Sequence, residues 1–270
     1  MTAMTSQRLP LRARLTRLAH LFKALARQHH RALVPLFAAV LPVDGVVIDV
    51  GAHAGQFAKL FAAIARRGRV YAVEPGSYAR SILRVVVRLK RLGNVTVIDR
   101  GLSDHAGQAA LSVPVKASGS IGFGLSHLGG GEGRPAFAEA EPLRLRAGRR
   151  AAIQEQISVT TLDDFARDQG LTRLDLIKAD IEGWEIHLLR GGARTLERFR
   201  PTLALELVES HLARAGAGAG ASAAEAWARL EPLGYRGFRF DAGGGTQPAP
   251  AFLGDGDYLF VPAAKAAAFD

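Results

Sequence analysis

The feature that most constrains the fold is a nine-residue run, Val47-Ile-Asp49-Val-Gly51-Ala-His53-Ala-Gly55, set between a β-branched segment and an amphipathic one. Val46–Val50 has the composition of a short buried strand. After Gly55, the residues Phe57, Leu60, Phe61 and Ile64 recur at helical spacing, and Gly68 supplies a stop. Glycines between such elements permit a tight turn and a close backbone approach by a ligand, and the helix N-terminus offers it N–H groups. The unit then repeats. Val70–Val73 is a second strand ending at Glu74-Pro75. Tyr78, Ile82, Val85, Val86 and Leu89 share the face of a helix closed by Gly93, and Val95–Ile98 is a third strand. Three strands with two intervening helices make a parallel βαβαβ unit.

Residues 116–156 break this rhythm. Glycines cluster from Gly119 to Gly133, and a basic, irregular stretch runs through Arg150. The segment reads as a mobile excursion over the site. Thr161-Leu-Asp-Asp164 then forms a capping box for a short helix that stops at Gly170. Leu174–Ala179 is a strand ending at Asp180, with a helix from about Trp184. Pro201 precedes the strand Thr202–Leu207. A Gly/Ala-rich linker (216–221) leads to Ser222-x-x-Glu225, which caps a helix bearing Trp227 and Leu230. Gly234–Phe240 and Tyr258–Val261 supply an antiparallel pair at the sheet edge. The expected architecture is α/β: seven strands, mostly parallel, with helices on both faces.

The N-terminus differs from the rest. Of the formal charge of +10, seven charges fall before residue 44, on Arg8, Arg12, Arg14, Arg17, Lys23, Arg27 and Arg31, with no acid among them. Leu11, Leu15, Leu18, Phe22, Leu25, His29, Leu33 and Leu36 recur at spacings of three and four. Residues 1–43 therefore form a basic amphipathic helical arm, and 44–270 the main domain. The apolar face is expected to dock on that domain. An interfacial helix on an anionic membrane and a nucleic-acid arm are the alternatives. Ala32–Val43 holds Pro35 and Pro42 and is too short to span a bilayer, which takes roughly 20 apolar residues. Lys23 and Arg27 interrupt any signal-peptide core. The chain is expected to be cytoplasmic; on the alternative that the arm is interfacial, it would sit peripherally at the inner face of the membrane. The absence of cysteine excludes disulfides, zinc thiolates and thiol nucleophiles.

Glu74 ends the second strand 23 residues after Gly51, where an acid in a doubly wound sheet takes ribose hydroxyls. The loop is G-x-x-x-G rather than the G-x-G-x-x-G that cradles a pyrophosphate. An aspartate two residues before its first glycine repels a pyrophosphate but suits the ammonium of a methionine moiety. The charge pattern thus points to S-adenosylmethionine (SAM) and away from a nicotinamide dinucleotide.

From about residue 46 to 262 the chain resembles the FkbM family of methyltransferases. The matching segments are Val47–Gly55, Tyr71–Pro75, Gly101-Leu-Ser-Asp104, Thr160–Asp164, Asp175-Leu-Ile-Lys-Ala-Asp-Ile-Glu-Gly183 and Pro201–Glu206. Where His53 stands, the family usually has asparagine. The resemblance implies a Rossmann-like class I methyltransferase fold and O-methylation of a sugar hydroxyl on a glycan, glycolipid or natural product. It implies that Asp49, Gly51, Ala52 and Gly55 hold the methionine end of SAM, that Glu74 takes the ribose, and that Leu102, Ser103 and Asp104 lie along the adenine. A hydroxyl acceptor must lose its proton, and Asp180 and Glu182 are the candidates for base or substrate anchor. Against this, Asp180 could cap the next helix and Glu182 could pair with Lys178. Asp180, Glu182 and Glu206 could also share a divalent metal, which the reaction does not require. His127 and His211 are alternative bases, and His187 reads as packing or solvated. The competing functions are an RNA methyltransferase, disfavoured because no aromatic-studded basic surface is present, and a non-catalytic SAM-binding scaffold.

Overall fold

The structure is a computed structural model that describes residues 11–115, 127–129, 151–214 and 222–269. Helices α1 (Leu11–Ala26) and α2 (Val34–Val40) precede β1 (Val46–Val50), α3 (Gln56–Ile64), β2 (Arg69–Val73), α4 (Ser77–Leu89) and β3 (Val95–Ile98). Four strands follow: β4 (Gly101–Ser103), β5 (Gly107–Val115), β6 (His127–Gly129) and β7 (Ala151–Thr161). Next come α5 (Leu162–Asp168), β8 (Leu176–Ala179), α6 (Glu185–Arg190), α7 (Ala193–Phe199), β9 (Thr202–Leu207), α8 (Glu209–Arg214) and α9 (Ala224–Leu230). The chain closes with β10 (Tyr235–Phe240), β11 (Thr246–Pro248) and β12 (Gly256–Pro262).

The main sheet has eight strands in the order β11-β10-β12-β9-β8-β1-β2-β3. The five from β3 to β9 are parallel, and β12, β10 and β11 run antiparallel to their neighbours. The seven expected strands are all there. The eighth, β11, arises because Asp241 accepts from the Gly243 and Gly245 N–H groups and folds β10 into a short hairpin.

Alternation across the strands builds two cores. Ile48, Val50, Ile177, Ala179, Leu203 and Leu205 point to one face and pack with α5, α6, α7 and α9. Val47, Leu176, Ala204, Leu259 and Val261 point to the other, where Leu36, Phe37, Val40 and Phe61 cover them. Residues 31–41 are thus built into the core rather than appended to it. Asp49, Lys178 and Glu206 share the parity of this second face, where the register places Asp49 opposite Lys178.

A four-stranded second sheet, β4-β7-β5-β6, replaces the expected excursion over much of its flanks. β7 begins at Ala151, inside the segment read as irregular, and pairs with β5 from Val115↔Ala151 to Gly107↔Val159. The alternation Ile157, Val159 carries it: these residues, with Leu111 and Trp184, make a small separate core. Residues 116–126 and 130–150 lie outside the described residues.

The arm is not one continuous helix. α1 ends at Ala26, and a single 3-10 turn (Arg31–Leu33) leads into α2. The predicted face docks only in part, through Leu25, Leu33 and Leu36. Ala24, Leu21 and Leu25 pack against Ala54, Tyr78, Ile82 and Val86, whereas Leu15, Leu18 and Phe22 are exposed. No described helix is long and apolar enough to cross a membrane.

Candidate cofactor and active site

The loop after β1 turns on two glycines with positive φ, Gly51 at 74° and Gly55 at 84°. A Cβ on Gly51 would overlap the carbonyl oxygen of Asp180, and one on Gly55 would sit 2.7 Å from Leu83 Cδ1. Space as well as conformation demands glycine here. His53 also has positive φ, 50°. Asparagine and histidine tolerate that region better than most residues, which accounts for either standing at this position.

The loop's N–H groups are already engaged. Gly51 and Ala52 both donate to the Val73 carbonyl at 3.0 Å, Gly55 donates to Ala52 O, and His53 donates to Glu74 Oε2 at 2.8 Å. The expected row of donors aimed at a ligand is therefore not offered by these four residues, and a pyrophosphate finds no cradle in them. Glu74 acts as a strut: its other oxygen accepts from Gly76 N–H at 2.8 Å, tying the loop to the start of α4. Burial pushes its carboxyl up to about 7, while the two N–H donors favour the charged form.

Acids dominate the carboxyl ends of β1, β2, β8 and β9 and the adjoining amino end of the antiparallel β12. Asp49 is fully buried, and neither oxygen has a well-formed hydrogen bond, the Ala58 N–H being only loosely directed at it. Burial raises it to about 6, against the pull of Lys178. Lys178 Nζ lies 3.9 Å from Asp49 Oδ1, 3.3 Å from Asp180 Oδ2 and 4.8 Å above the Phe57 ring. Burial alone would discharge this lysine, but the Asp180 and Asp49 carboxylates outweigh it and hold it above the ordinary value. Lys178 in turn keeps Asp180 below the usual carboxylate range. Ala179 and Leu205 are register partners, so Asp180 and Glu206 stand side by side one residue further on. The two side chains are hydrogen-bonded to each other, and burial and the Asp180 charge push the Glu206 carboxyl up to about 8, favouring Glu206 as the donor. Asp257, opposite Glu206 on β12, is raised by burial as well. Glu206 entered the sequence reading only as a metal ligand, and Asp257 not at all.

Asp180 does not cap the next helix. α6 starts at Glu185 and has no side-chain cap. Glu182 pairs with His211, whose Nδ1 lies 3.2 Å from Glu182 Oε2, and not with Lys178. Among the described residues no group of three or more His, Asp and Glu side chains is arranged to hold a metal ion. Glu185 was missed by sequence reasoning. It is fully buried, accepts from Ile181 N–H at 2.9 Å and so fastens the Asp180–Gly183 turn; burial raises it to about 8.

Ser103 and Asp104 belong to a different network. Ser103 is fully buried, and its hydroxyl accepts from Trp184 Nε1 at 3.0 Å. Asp104 lies 2.7 Å from both His105 Nδ1 and His187 Nδ1, and these partners outweigh desolvation to hold it at about 2. Any adenine contact from this pair would come from Asp104 and not from the Ser103 hydroxyl. His187 is buried and stacks on Trp184 with ring centroids 4.0 Å apart. The side chain of His127 lies outside the described residues.

A βαβαβ sheet with a glycine loop and acids at its carboxyl edge defines a cofactor-binding α/β protein of the doubly wound class. The model of the methyltransferase FkbM domain matches residues 49–237, and the chain belongs to that family. The family implies SAM as cofactor. The chain is 29% identical over 166 residues to "Methyltransferase sdnD" of Sordaria araneosa, covering 56% of this chain and 61% of that protein. It is 27% identical over 181 residues to "2-O-methyltransferase NoeI" of Sinorhizobium fredii, covering 63% and 65% respectively. The matches thus span less than two thirds of these relatives. The crystal structure of methyltransferase FkbM from Methylobacillus flagellatus aligns over 91% of this chain and 58% of that one, with TM-score 0.46 and 16% identity.

The residues present fit SAM. A buried, poorly satisfied aspartate lies beneath a close-approach loop, and the acids Asp49, Asp180 and Glu206 converge on a single buried lysine. Such a site favours a ligand carrying ammonium and sulfonium charge.

Proposed function

We propose that the protein transfers the methyl group of SAM to a hydroxyl of a sugar or natural product. The observation that carries this reading is the position of Asp180: ionised, 44% exposed at its side chain, and with its own carbonyl against Gly51. Base and cofactor loop are neighbours. SAM, when bound, supplies an electrophilic methyl group. Asp49, Gly51, Ala52, Gly55 and Glu74 are assigned to its methionine and ribose, and Asp104 to its adenine end. Asp180 accepts the hydroxyl proton. Lys178 keeps it ionised for that role, and Glu206 orients it by a hydrogen bond. Positioning supplies much of the remaining rate. Similarity to a 2-O-methyltransferase supports oxygen as the accepting atom.

Thermal unfolding with SAM and, separately, with NAD tests the cofactor. Ligand at about 100 times its Kd stabilises by roughly 2.7 kcal/mol, which is roughly 5–10 °C here. Transfer of labelled methyl to a panel of glycans and hydroxylated natural products tests the reaction. Asp180→Asn should keep the SAM shift and lose about 10²–10⁴ in kcat/KM. A shift with NAD and none with SAM refutes the cofactor, and unaltered turnover in the variant refutes the base.

A further inference from the structure

We propose that the outward face of α1 is a docking surface for an anionic lipid bilayer. Leu15, Leu18 and Phe22 are 58%, 60% and 73% exposed. Their spacing of three and four lines them up as one ridge about 10 Å long. Scattered exposed apolar residues are ordinary, but three in register on one helix form a continuous apolar strip. Exposed cations lie beside and beyond it, Lys23 on the neighbouring side of α1 and Arg27 and Arg31 in the segment that follows, and residues 1–43 contain no acid. The combination is that of a helix lying in the interfacial plane, apolar ridge among the acyl chains and cations at the headgroups.

Other occupants fit less well. A second copy of the chain would cover the ridge but bring seven cations against seven. A nucleic acid would meet the cations and leave the ridge in water. An anionic bilayer satisfies both.

The opposite side of α1 is fixed to the site. His20 Nδ1 lies 2.9 Å from the Tyr78 hydroxyl. Lys59 Nζ donates to Ala24 O at 2.6 Å and Arg27 O at 2.7 Å, fastening the end of α1 to α3. Ala24 packs on Ala54, a residue of the glycine loop. Only the thickness of α1, about 10 Å, separates the docked surface from that loop.

The test uses the full chain and vesicles of phosphatidylcholine with about 30% phosphatidylglycerol, against phosphatidylcholine alone. Co-sedimentation is expected with the anionic vesicles only, weakening as salt rises from about 0.1 M to 1 M. Leu18→Glu with Phe22→Glu should abolish it, while thermal unfolding and the circular dichroism spectrum stay unchanged, since both side chains are exposed. Lys23→Gln and Arg31→Gln should each weaken it about fivefold. The proposal is overturned if the wild-type chain sediments with neither vesicle or equally with both. It is also overturned if the folded double variant sediments undiminished. A dimer in light scattering that the double variant dissolves, without vesicle binding by either protein, assigns the ridge to a second copy and overturns it too.

Discussion

Glu185→Gln isolates the consequence of burying an acid under the Asp180–Gly183 turn. The wild-type carboxyl has no exposed surface; Oε1 accepts from Ile181 N–H at 2.9 Å and Oε2 is buried without a partner. Burial carries it from 4.5 to about 8, with the Asp180 charge adding to the effect and backbone N–H groups opposing it. Because the folded value lies above the unfolded one, the neutral acid stabilises the fold below pH 4.5, and that contribution is lost as pH rises through about 8. At full strength the displacement corresponds to about 5 kcal/mol, and relaxation or water entry brings the working figure to about 2–4 kcal/mol. Glutamine keeps the acceptor for Ile181 and the volume, and has no proton to lose. Wild type and variant should therefore unfold within about 1 kcal/mol of each other at pH 5, diverge steadily from pH 5 to about 8 and keep a constant separation above it, the variant melting roughly 5–10 °C higher by pH 9. Scanning calorimetry of both proteins from pH 5 to 9 measures the difference, which cancels the other raised acids, Asp49, Glu74, Glu206 and Asp257. Parallel curves at constant separation from pH 5 to about 8 would refute the argument, because they would mean that Glu185 does not titrate between folded and unfolded states.

Gly51→Ala places a side chain against the Asp180 carbonyl at φ 74°. It should destabilise by about 2–4 kcal/mol in urea unfolding and remove the SAM-induced thermal shift. Thr161 accepts from Asp164 N–H at 3.0 Å as the cap of α5, so Thr161→Ala should lower stability by about 1 kcal/mol while leaving methyl transfer at wild-type rate.

The parallel half of the sheet was legible in the sequence because its strands are short apolar runs, β-branched in β1, β2 and β3, and four of the five are followed at once by a glycine or an acid. The capping box at Thr161 reads directly, since the hydroxyl and the Asp164 N–H meet at the expected spacing. Ser222 did not act likewise: α9 starts one residue later with no side-chain cap, and Glu225 instead takes Arg190 and Arg229. The second sheet was hidden because its core is small: among the described residues Leu111, Ile157 and Val159 of β5 and β7 form it, with Ala109 at its margin and Trp184 from elsewhere. The arm misled for a related reason. Periodicity identifies an apolar face but not whether protein or another medium covers it, and α1 turns a partly different set of residues inward. In the site, Asp49, Glu74 and Asp180 announced themselves by position at strand ends. Glu206, Asp257 and Glu185 did not, because their roles come from register across β8, β9 and β12 and from a turn, neither of which leaves a local spacing. Lys178, a cation within an apolar strand, was the clue that several acids must converge there.

The pairing of β5 with β7 has a consequence for how this protein can change. Val115 and Ala151 stand opposite one another in the ladder, so the intervening chain departs from and rejoins the platform at neighbouring points, about 5 Å apart. Joining two such points with a longer or shorter connection alters the closure entropy little, about 0.6 kcal/mol for each doubling of length. Residues 127–129 of that connection belong to the platform as β6, paired with β5 at Ala110, Leu111 and Ser112, so the stretches on either side of β6 are the parts whose length can vary. The molecule thus separates a fixed chassis from exchangeable stretches. Swapping 116–126 and 130–150 between members of the family, with β6 kept, is an economical way to ask whether acceptor choice travels with those stretches.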